Sequence, residues 1–393
     1  MTSERTTVTV LHGDCIGLMA EMQDCSVDAI VTDPPYELRT IGKQWDDGSG
    51  IAYSIPMWTE ALRVLKPGGH LLAFGGTRTY HRMACAIEDA GFEIRDSLHW
   101  IYGSGFPKSL NISKAIDKAA GAERKPVREY DVPKGHAFSG PVYGNGNDTT
   151  RAYVTEAATP EAAQWEGWGT ALKPAHEPIV LARKLLEGTV AATVLKHGTG
   201  GLNIDGCRVD GPARDENDTG RWPQNIIIDT AAAQEMDRQR DKSARLFKQV
   251  EWHDDIDGWP FIYQAKPTTK ERNAGLEGLP ERRKVTYQGA AREGKLDPLS
   301  EQFRTDPMAN HHPTVKPIAL MRHLVRLVTP PGGIVLDPFA GSGTTLAAAV
   351  LEGFNAVGCE LTDDFLPIIR GRVEWAHGQV EADAQGPKQE RLI

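Results

Sequence analysis

A rigid segment with an acidic and an aromatic end, Asp33-Pro34-Pro35-Tyr36, follows directly after the β-branched run 27–32. The two prolines favour an extended, inflexible backbone. Asp33 offers a carboxylate, Pro34 a backbone carbonyl, and Tyr36 an aromatic plane. Two acceptors beside a stacking surface suit a flat base that carries an exocyclic amino group. The structural alternative is a rigid turn with a capping aspartate.

A glycine turn forms the second candidate site, between a short apolar run and a predicted helix. Its candidate ligand contacts are Asp337, Phe339, Ala340, Gly341, Ser342, Gly343 and Thr344. The two glycines let the backbone turn tightly and approach a ligand closely. A P-loop needs a lysine where Thr344 stands, and a dinucleotide fingerprint needs a third glycine where Leu346 stands. The turn therefore suits a nucleoside without a pyrophosphate.

Glu360 ends the next predicted strand, 355–360. An acidic residue at the tip of the second strand is where Rossmann-type folds hold a ribose diol. A solvated carboxylate at the end of a strand is the alternative. Beside the glycine turn, Glu360 favours the nucleoside interpretation.

The elements that must position these residues alternate between strand and helix in the first and last parts of the chain. Strands are predicted at 7–11, 27–32, 70–74, 92–101, 334–337 and 355–360. This alternation predicts an α/β fold with a mostly parallel, doubly wound sheet, whose ligands bind outside the carboxyl ends of the strands. The segment 103–312 is rich in Gly, Pro and Asn, and 175–185 and 225–229 are its isolated strand candidates.

These motifs together resemble the amino-directed DNA methyltransferases of the permuted β class, which act on adenine N6 or cytosine N4. That family has a Rossmann-like sheet and places a D/S-P-P-Y motif first, an inserted recognition region second, and an F-x-G-x-G motif last. Residues 33–36 and 339–343 match the two motifs in that order. The segments 312–317, 13–15 and 63–69 also resemble family features.

The resemblance implies a division of the chain and a set of site residues. Its domains would be 1–102 and 313–376 for the two halves of the methyltransferase core, 103–312 for target recognition, and 377–393 for a polar tail. Asp33, Pro34, Pro35 and Tyr36 would be catalytic. S-adenosylmethionine would be bound by Asp14, Lys316, Asp337, Phe339, Ala340, Gly341, Ser342, Gly343, Thr344 and Glu360, with Lys316 at the cofactor carboxylate.

The implied reaction is direct methyl transfer to the N6 amine of a flipped-out adenine in double-stranded DNA, without a covalent intermediate. Asp rather than Ser at position 33 favours adenine over cytosine N4. A C5-cytosine enzyme would need a thiolate, typically in a Pro-Cys motif, and the sequence contains none. A homodimer and a cognate restriction endonuclease are further partners that the resemblance allows.

Three alternatives remain open at this point. Cytosine N4 methylation would use the same motifs. An RNA guanine-N2 methyltransferase can carry D-P-P-Y, but such enzymes usually place the cofactor motif first. A non-catalytic DNA-binding protein on the same scaffold is a different class, and the intact Asp33, Tyr36, Gly341 and Glu360 argue against it.

Composition narrows the class of protein. The 44 basic and 53 acidic residues give a net charge of -9, which taken alone speaks against a nucleic-acid partner. The basic run Arg282-Arg283-Lys284 is the candidate for contacts with DNA phosphates, although such a run is often only a solvated face. Five scattered cysteines and the histidine spacing indicate no metal site. We expect a cytoplasmic protein, in a bacterial cell or a phage-infected host, because neither a signal peptide nor a membrane segment is visible.

Overall fold

The structure is a computed structural model that describes most of the chain. The described residues are 5–38, 49–102, 109–132, 150–209, 220–229, 232–233, 236, 238, 248–250, 267, 269–281 and 309–384. Within them the strands are β1 (Val8–His12), β2 (Val27–Thr32), β3 (Leu65–Phe74), β4 (Glu93–Ile101), β5 (Pro126–Val132), β6 (Thr150–Thr155), β7 (His176–Arg183), β8 (Ile226–Asp229), β9 (Lys248–Val250), β10 (Ile334–Asp337) and β11 (Asn355–Glu360).

Helices connect these strands. They are α1 (Cys15–Ala20), α2 (Ile55–Val64), α3 (Tyr80–Asp89), α4 (Ile112–Ala119), α5 (Pro160–Gln164), α6 (Val190–His197), α7 (Thr269–Asn273), α8 (Ile318–Val328), α9 (Thr344–Leu351) and α10 (Leu366–Ala384). Short 3-10 turns lie at Ile51–Tyr53, Asp205–Cys207 and Asp363–Phe365.

The strands of the larger unit form one sheet in the order β1-β11-β10-β2-β3-β7-β4-β8-β9. Every neighbouring pair is parallel except those that involve β7. The predicted α/β fold with a mostly parallel sheet is therefore confirmed. The strands β10 and β11, from the last part of the chain, lie between β1 and β2 from the first part. The predicted first and last parts therefore build one sheet.

Apolar side chains cover both faces of this sheet. On one face, α2 buries Met57 and Trp58 in a cluster that also includes Leu71 of β3. On the other face, α8 and α9 pack against the sheet through a second cluster that contains Leu324 and Leu346. Helices on both faces and the buried strands between them give the three layers of a doubly wound fold.

Strand β7 differs from the prediction of an isolated element in the middle of the chain. It lies inside the sheet, antiparallel to both β3 and β4, and residues 178–183 are buried. The run Ile179-Val180-Leu181-Ala182 is apolar without alternation, as expected for a strand covered on both faces. Strand β8 likewise joins the sheet, parallel to β4.

The predicted recognition segment 103–312 is therefore divided in the structure. The described residues between 105 and 175 form a separate compact unit, whereas those between 176 and 312 belong to the larger unit together with the described residues of 1–104 and 313–393. In the smaller unit, β5 pairs antiparallel with β6. Its buried Asp117 accepts from the backbone N–H groups of Ala158 and Thr159 and from Arg124 Nη1 at 2.7 Å. A role of either part in target recognition stays a prediction.

The last helix also differs from the sequence prediction, which placed a polar tail after residue 376. Helix α10 continues to Ala384 and buries Ala376 and His377. Arg5 contacts this helix, with Nη2 2.7 Å from Glu374 Oε1 and Nε 3.9 Å from Glu381 Oε1. Arg5 therefore forms ion pairs with the helix on both sides of residue 376, where the predicted tail began. None of the described helices is long and apolar enough to span a bilayer.

Candidate active site

The two motifs meet at the carboxyl edge of the sheet because β2 and β10 are neighbours. Asp33 directly follows β2, and Asp337 is the last residue of β10. Thr32 Oγ1 donates a hydrogen bond of 2.7 Å to Asp337 Oδ1. This bond joins segments that are 305 positions apart in the sequence. The acidic-aromatic segment and the glycine turn thus belong to one site.

Four polar side chains form a network next to β2. Lys316 Nζ lies 2.6 Å from Asp33 Oδ2, 3.1 Å from the Tyr36 hydroxyl and 3.4 Å from Glu177 Oε2. The Tyr36 hydroxyl donates to Glu177 Oε2 at 2.7 Å. The ammonium also lies 4.8 Å from the centroid of the Phe74 ring, within the range of a cation–π contact. One lysine is therefore shared by two carboxylates.

Burial makes this network strongly electrostatic. The Lys316 side chain is only 9% exposed. Burial disfavours its charge, but Asp33 and Glu177 outweigh burial and raise the pKa of Lys316. Burial, with the charges of Asp33 and Glu177 adding to it, also raises the pKa of Tyr36 well above its usual value. Lys316 therefore stays charged and Tyr36 stays a neutral hydroxyl over the working pH range.

Asp33 has one carboxylate oxygen available for a ligand. Its Oδ2 binds Lys316, whereas its buried Oδ1 has no hydrogen-bond partner among the described residues. Burial raises the pKa of Asp33 and Glu177 adds to the rise, while Lys316 opposes it. A buried acceptor without a donor is costly unless a ligand supplies one. The free oxygen suits an incoming N–H group.

The backbone around Tyr36 is bound by Thr79, the residue before α3, and has an unusual conformation at the next residue. Thr79 Oγ1 donates to the Tyr36 carbonyl at 2.7 Å. The next residue, Glu37, is buried and has a φ of 53°, in the left-handed region that a side chain rarely adopts. A pocket beside this segment is lined by Pro35, Tyr36, Ala52, Tyr53, Phe74, Gly75, Gly76, Thr79, Tyr80 and Met83. Four of these residues, Tyr36, Tyr53, Phe74 and Tyr80, are aromatic.

The glycine turn after β10 requires both of its glycines. Gly341 has a φ of 52° and Gly343 a φ of 73°. A Cβ on Gly341 would lie 2.9 Å from His312 Nε2, and one on Gly343 would lie 3.0 Å from Ile369 Cα. Both positions therefore combine a left-handed backbone with a close approach, for which glycine is suited.

Glu360 lies directly against this turn. Its Oε2 accepts from Gly341 N at 2.8 Å, and its Oε1 accepts from Thr362 N at 2.8 Å. A carboxylate offers about four acceptor positions, so others stay available for a hydroxyl pair. Burial raises the pKa of Glu360, with the backbone hydrogen bonds opposing the rise. The position fits the predicted ribose contact, which stays a prediction.

Arg372 of α10 supports the same turn, and the sequence did not single it out. Its side chain is fully buried, and Nη1 donates to Ser342 O at 3.2 Å, Ser342 Oγ at 3.1 Å and Thr344 Oγ1 at 2.8 Å. Burial lowers its pKa to about 10. The adjacent Arg370 is exposed. The sequence I-I-R-G-R-V carries no signal that distinguishes the two arginines.

Glu177 is the second site residue that sequence analysis missed. It lies on β7, which the prediction separated from the catalytic motif. An acidic residue at the start of an otherwise apolar strand was the available signal. Its partners Tyr36 and Lys316 are 141 and 139 positions away, and only the sheet order brings them together.

The remaining predicted residues have structural roles that leave their ligand contacts untested. Asp14 is the N-cap of α1 and accepts from Ile16 N and Gly17 N. Phe339 packs partly buried against one apolar cluster and Ala340 is buried in the other. Residues 282–284 lie outside the described residues. The part of the chain that the structure describes holds no group of three His, Cys, Asp or Glu side chains placed to bind a metal ion.

Comparisons with known proteins identify relatives of this chain. DNA adenine methyltransferase YhdJ of Escherichia coli is 41% identical over 66 residues, 17% of this chain and 22% of YhdJ. Type II methyltransferase M.HindIII of Haemophilus influenzae is 24% identical over 323 residues, 81% of this chain and 68% of M.HindIII. The structure of TTHA0409 of Thermus thermophilus, complexed with S-adenosyl-L-methionine, has a TM-score of 0.42 at 17% identity and covers 94% of each chain.

The shorter matches include three relatives of which only 21% to 24% is covered. A sequence profile described as DNA methylase, by contrast, matches residues 27–370. That range is more than half of the chain and holds both Asp33-Pro34-Pro35-Tyr36 and the glycine turn. The chain therefore belongs to the DNA methylase family of N6 and N4 methyltransferases.

Proposed function

We propose that this protein is a DNA methyltransferase that transfers a methyl group from S-adenosylmethionine to the N6 amine of adenine in double-stranded DNA. The observation that carries the proposal is the buried, unpartnered Oδ1 of Asp33 at the edge where β2 and β10 meet. Membership of the DNA methylase family supports the reaction class.

The residues at the glycine turn fit S-adenosylmethionine. Glu360 keeps acceptor positions for the ribose hydroxyls, and Gly341 and Gly343 allow the backbone to approach the ligand closely. Asp337 and Phe339 begin the same turn. The cofactor supplies a methyl group on a positively charged sulfur, which is electrophilic. Arg372 stabilises the turn by donating hydrogen bonds to the hydroxyls of Ser342 and Thr344.

Asp33 and Pro34 would activate the amine. The lone pair of an aryl amine is delocalised into the ring, and N–H donation to Asp33 Oδ1 and the Pro34 carbonyl localises it on nitrogen. In the transfer, a C–N bond would form as the S–CH3 bond breaks, and the electron pair would leave with the sulfur as a neutral thioether. The nitrogen then loses one proton, for which Asp33 is the adjacent acceptor. The gain is positional and electrostatic.

The target adenine would leave the duplex and stack on Tyr36, at a cost of a few kcal/mol. The aspartate at position 33 favours adenine over cytosine, and the local similarity to an enzyme named as a DNA adenine methyltransferase supports this choice. Cytosine N4 is the alternative within the family. The methylated base that the enzyme forms distinguishes the two targets.

The test is expression in a bacterial host that lacks DNA methylation, followed by mass spectrometry of the nucleosides from its DNA and, separately, from its RNA, each compared with the Asp33→Ala culture. We expect N6-methyladenine with the wild type and none with Asp33→Ala, because the amine would lose its charged acceptor. Asp89→Ala, an exposed aspartate of α3, is the matched control and is expected to keep wild-type activity.

Each other result points to a different reading. N4-methylcytosine would keep the mechanism and overturn the choice of base. Modified guanine in RNA would indicate the RNA methyltransferase. Specific DNA binding with bound cofactor but no modified base would indicate a non-catalytic DNA-binding protein.

A further inference from the structure

Glu177 is a charged group at the site that no sequence motif explains. It reaches the catalytic segment from β7, the antiparallel strand of the sheet. The hydroxyl group of Tyr36 donates a hydrogen bond to its carboxylate at 2.7 Å. The Glu177 side chain is only 20% exposed and also lies 3.4 Å from the Lys316 ammonium. Such a network fixes the position of the carboxylate.

The geometry around Lys316 shows a conflict that the reaction would have to resolve. Lys316 Nζ lies 2.6 Å from Asp33 Oδ2, so the acid that should receive the amine already carries an ion pair. The same ammonium lies 3.4 Å from Glu177 Oε2. The Glu177 carboxylate is therefore close enough to receive the ammonium if Lys316 leaves Asp33.

We propose that Glu177 is a positioning residue for methyl transfer, which takes over the Lys316 ammonium when the target amine binds Asp33. The lysine then keeps an ion pair throughout, and Asp33, no longer neutralised at Oδ2, presents a fully charged carboxylate to the amine at Oδ1. Glu177 also holds the Tyr36 ring through its hydroxyl while this exchange occurs. This inference rests on the proposed function, because it needs an amine at Asp33.

The charge of Glu177 is what the exchange requires. A glutamine at this position could still accept from the hydroxyl of Tyr36, but it could not balance the ammonium. Lys316 would then stay with Asp33, because leaving it would strand a buried cation. The amine at Oδ1 would then meet a carboxylate whose charge Lys316 still neutralises through Oδ2. Loss of charge alone should therefore slow the reaction.

The experiment measures kcat and both KM values with tritiated S-adenosylmethionine and unmethylated bacterial genomic DNA. For Glu177→Gln we expect kcat to fall by about 10- to 100-fold, the loss typical of a misplaced reacting group. The KM for the cofactor should change less than about twofold, since this network does not include the glycine turn. Glu177→Asp keeps the charge and should recover part of the lost kcat.

Glu187→Gln is the matched control, because this glutamate is half exposed and binds Lys196 and His197 away from the site. We expect it to keep wild-type kcat. Wild-type kcat in Glu177→Gln would overturn the inference while leaving the proposed function intact. A wild-type protein that transfers no methyl group to any base would overturn both.

The melting temperature distinguishes a purely structural role of Glu177 from a role in positioning the reacting groups. If Glu177→Gln melts well below the wild type, the comparison passes to Glu177→Asp, for which we expect a lower kcat at unchanged cofactor KM. A kcat in Glu177→Asp no higher than in Glu177→Gln would overturn the inference, because the restored charge would then have no effect. The double variant with Tyr36→Phe adds a further check: if Glu177 acts partly through the Tyr36 hydroxyl, the two losses should be less than additive.

Discussion

At the scale of single residues, Asp337 links the two motifs at a cost in stability. The residue is 2% exposed, and burial raises its pKa from 3.8 to about 6, with the hydrogen bonds from Thr32 Oγ1 and Phe339 N opposing the rise. Because the folded-state pKa lies above the unfolded-state value, the folded protein binds this proton more tightly. Its contribution to the free energy of unfolding therefore decreases as pH rises from about 4 to about 6.

We expect Asp337→Asn to stabilise the protein at pH 7.5 and to have little effect at pH 4. A pKa difference of this size corresponds to about 3 kcal/mol, which is the upper limit of the gain. Asparagine retains an oxygen that can accept from Thr32 and Phe339 N. Urea denaturation at the two pH values measures the change.

The exposed Asp89→Asn serves as the control for this measurement, and it should show no comparable gain. A destabilisation by Asp337→Asn at pH 7.5 would show that the charged carboxylate is favoured in the fold. If the stabilised variant also binds S-adenosylmethionine more weakly, the buried charge is retained for the cofactor, a known exchange of stability for function.

Sequence analysis could locate the residues that lie in continuous motifs. Asp33 directly follows a predicted strand, Gly341 lies in the turn after one, and Glu360 ends one, so their place at one edge of a parallel sheet follows from the topology. Arg372 and Glu177 could not be found in this way. Each acts on a segment distant in the sequence, and an isolated charged residue does not indicate its partner.

At the scale of elements, α10 reaches back to the turn that begins α9. We expect Arg372→Met to lower the free energy of unfolding by about 2–3 kcal/mol, because Ser342 and Thr344 lose their buried, charged donor. The turn should then be less well ordered, so the affinity for S-adenosylmethionine should fall as well. Calorimetric titration and urea denaturation measure the two effects.

Arg370→Met provides the control, since Arg370 lies on the same helix and is exposed. Neither stability nor cofactor affinity should change appreciably in that variant. Unchanged cofactor affinity in a destabilised Arg372→Met would limit this arginine to a structural role.

Element boundaries followed from the sequence where a buried run ends in a turn. The strands β2, β10 and β11 have the predicted bounds, because each is an apolar run stopped by polar, proline or glycine residues. Strand β7 was predicted as a strand, but its position between β3 and β4 was not predicted. Pairing between β3 and β4 depends on the whole sheet, and the apolar run itself is compatible with any buried position.

At the scale of the whole molecule, the net charge of -9 must be reconciled with a DNA partner. Contacts with phosphate would have to come from local basic groups, and the run 282–284 is our candidate. Replacing Arg282, Arg283 and Lys284 together by glutamine should reduce the salt dependence of DNA binding. The slope of log Kobs against log salt concentration should become shallower by about 2.7, at about 0.9 for each phosphate contact.

Fluorescence anisotropy with a labelled duplex at several salt concentrations gives this slope. An unchanged slope would place these residues on a solvated face. Arg370→Gln, which removes a single exposed charge on α10, controls for the effect of net charge alone.

The sheet order β1-β11-β10-β2 also governs when the protein can fold during its synthesis. In the described sheet β1 pairs only with β11, and β2 obtains its second neighbour only from β10. At ribosomal speeds of about 5–20 residues per second, β1 waits roughly 20 seconds to a minute for its partner. During that time the nascent chain carries unpaired strand edges, which are templates for aggregation. Both halves of the site can therefore assemble only after β11 has been synthesised.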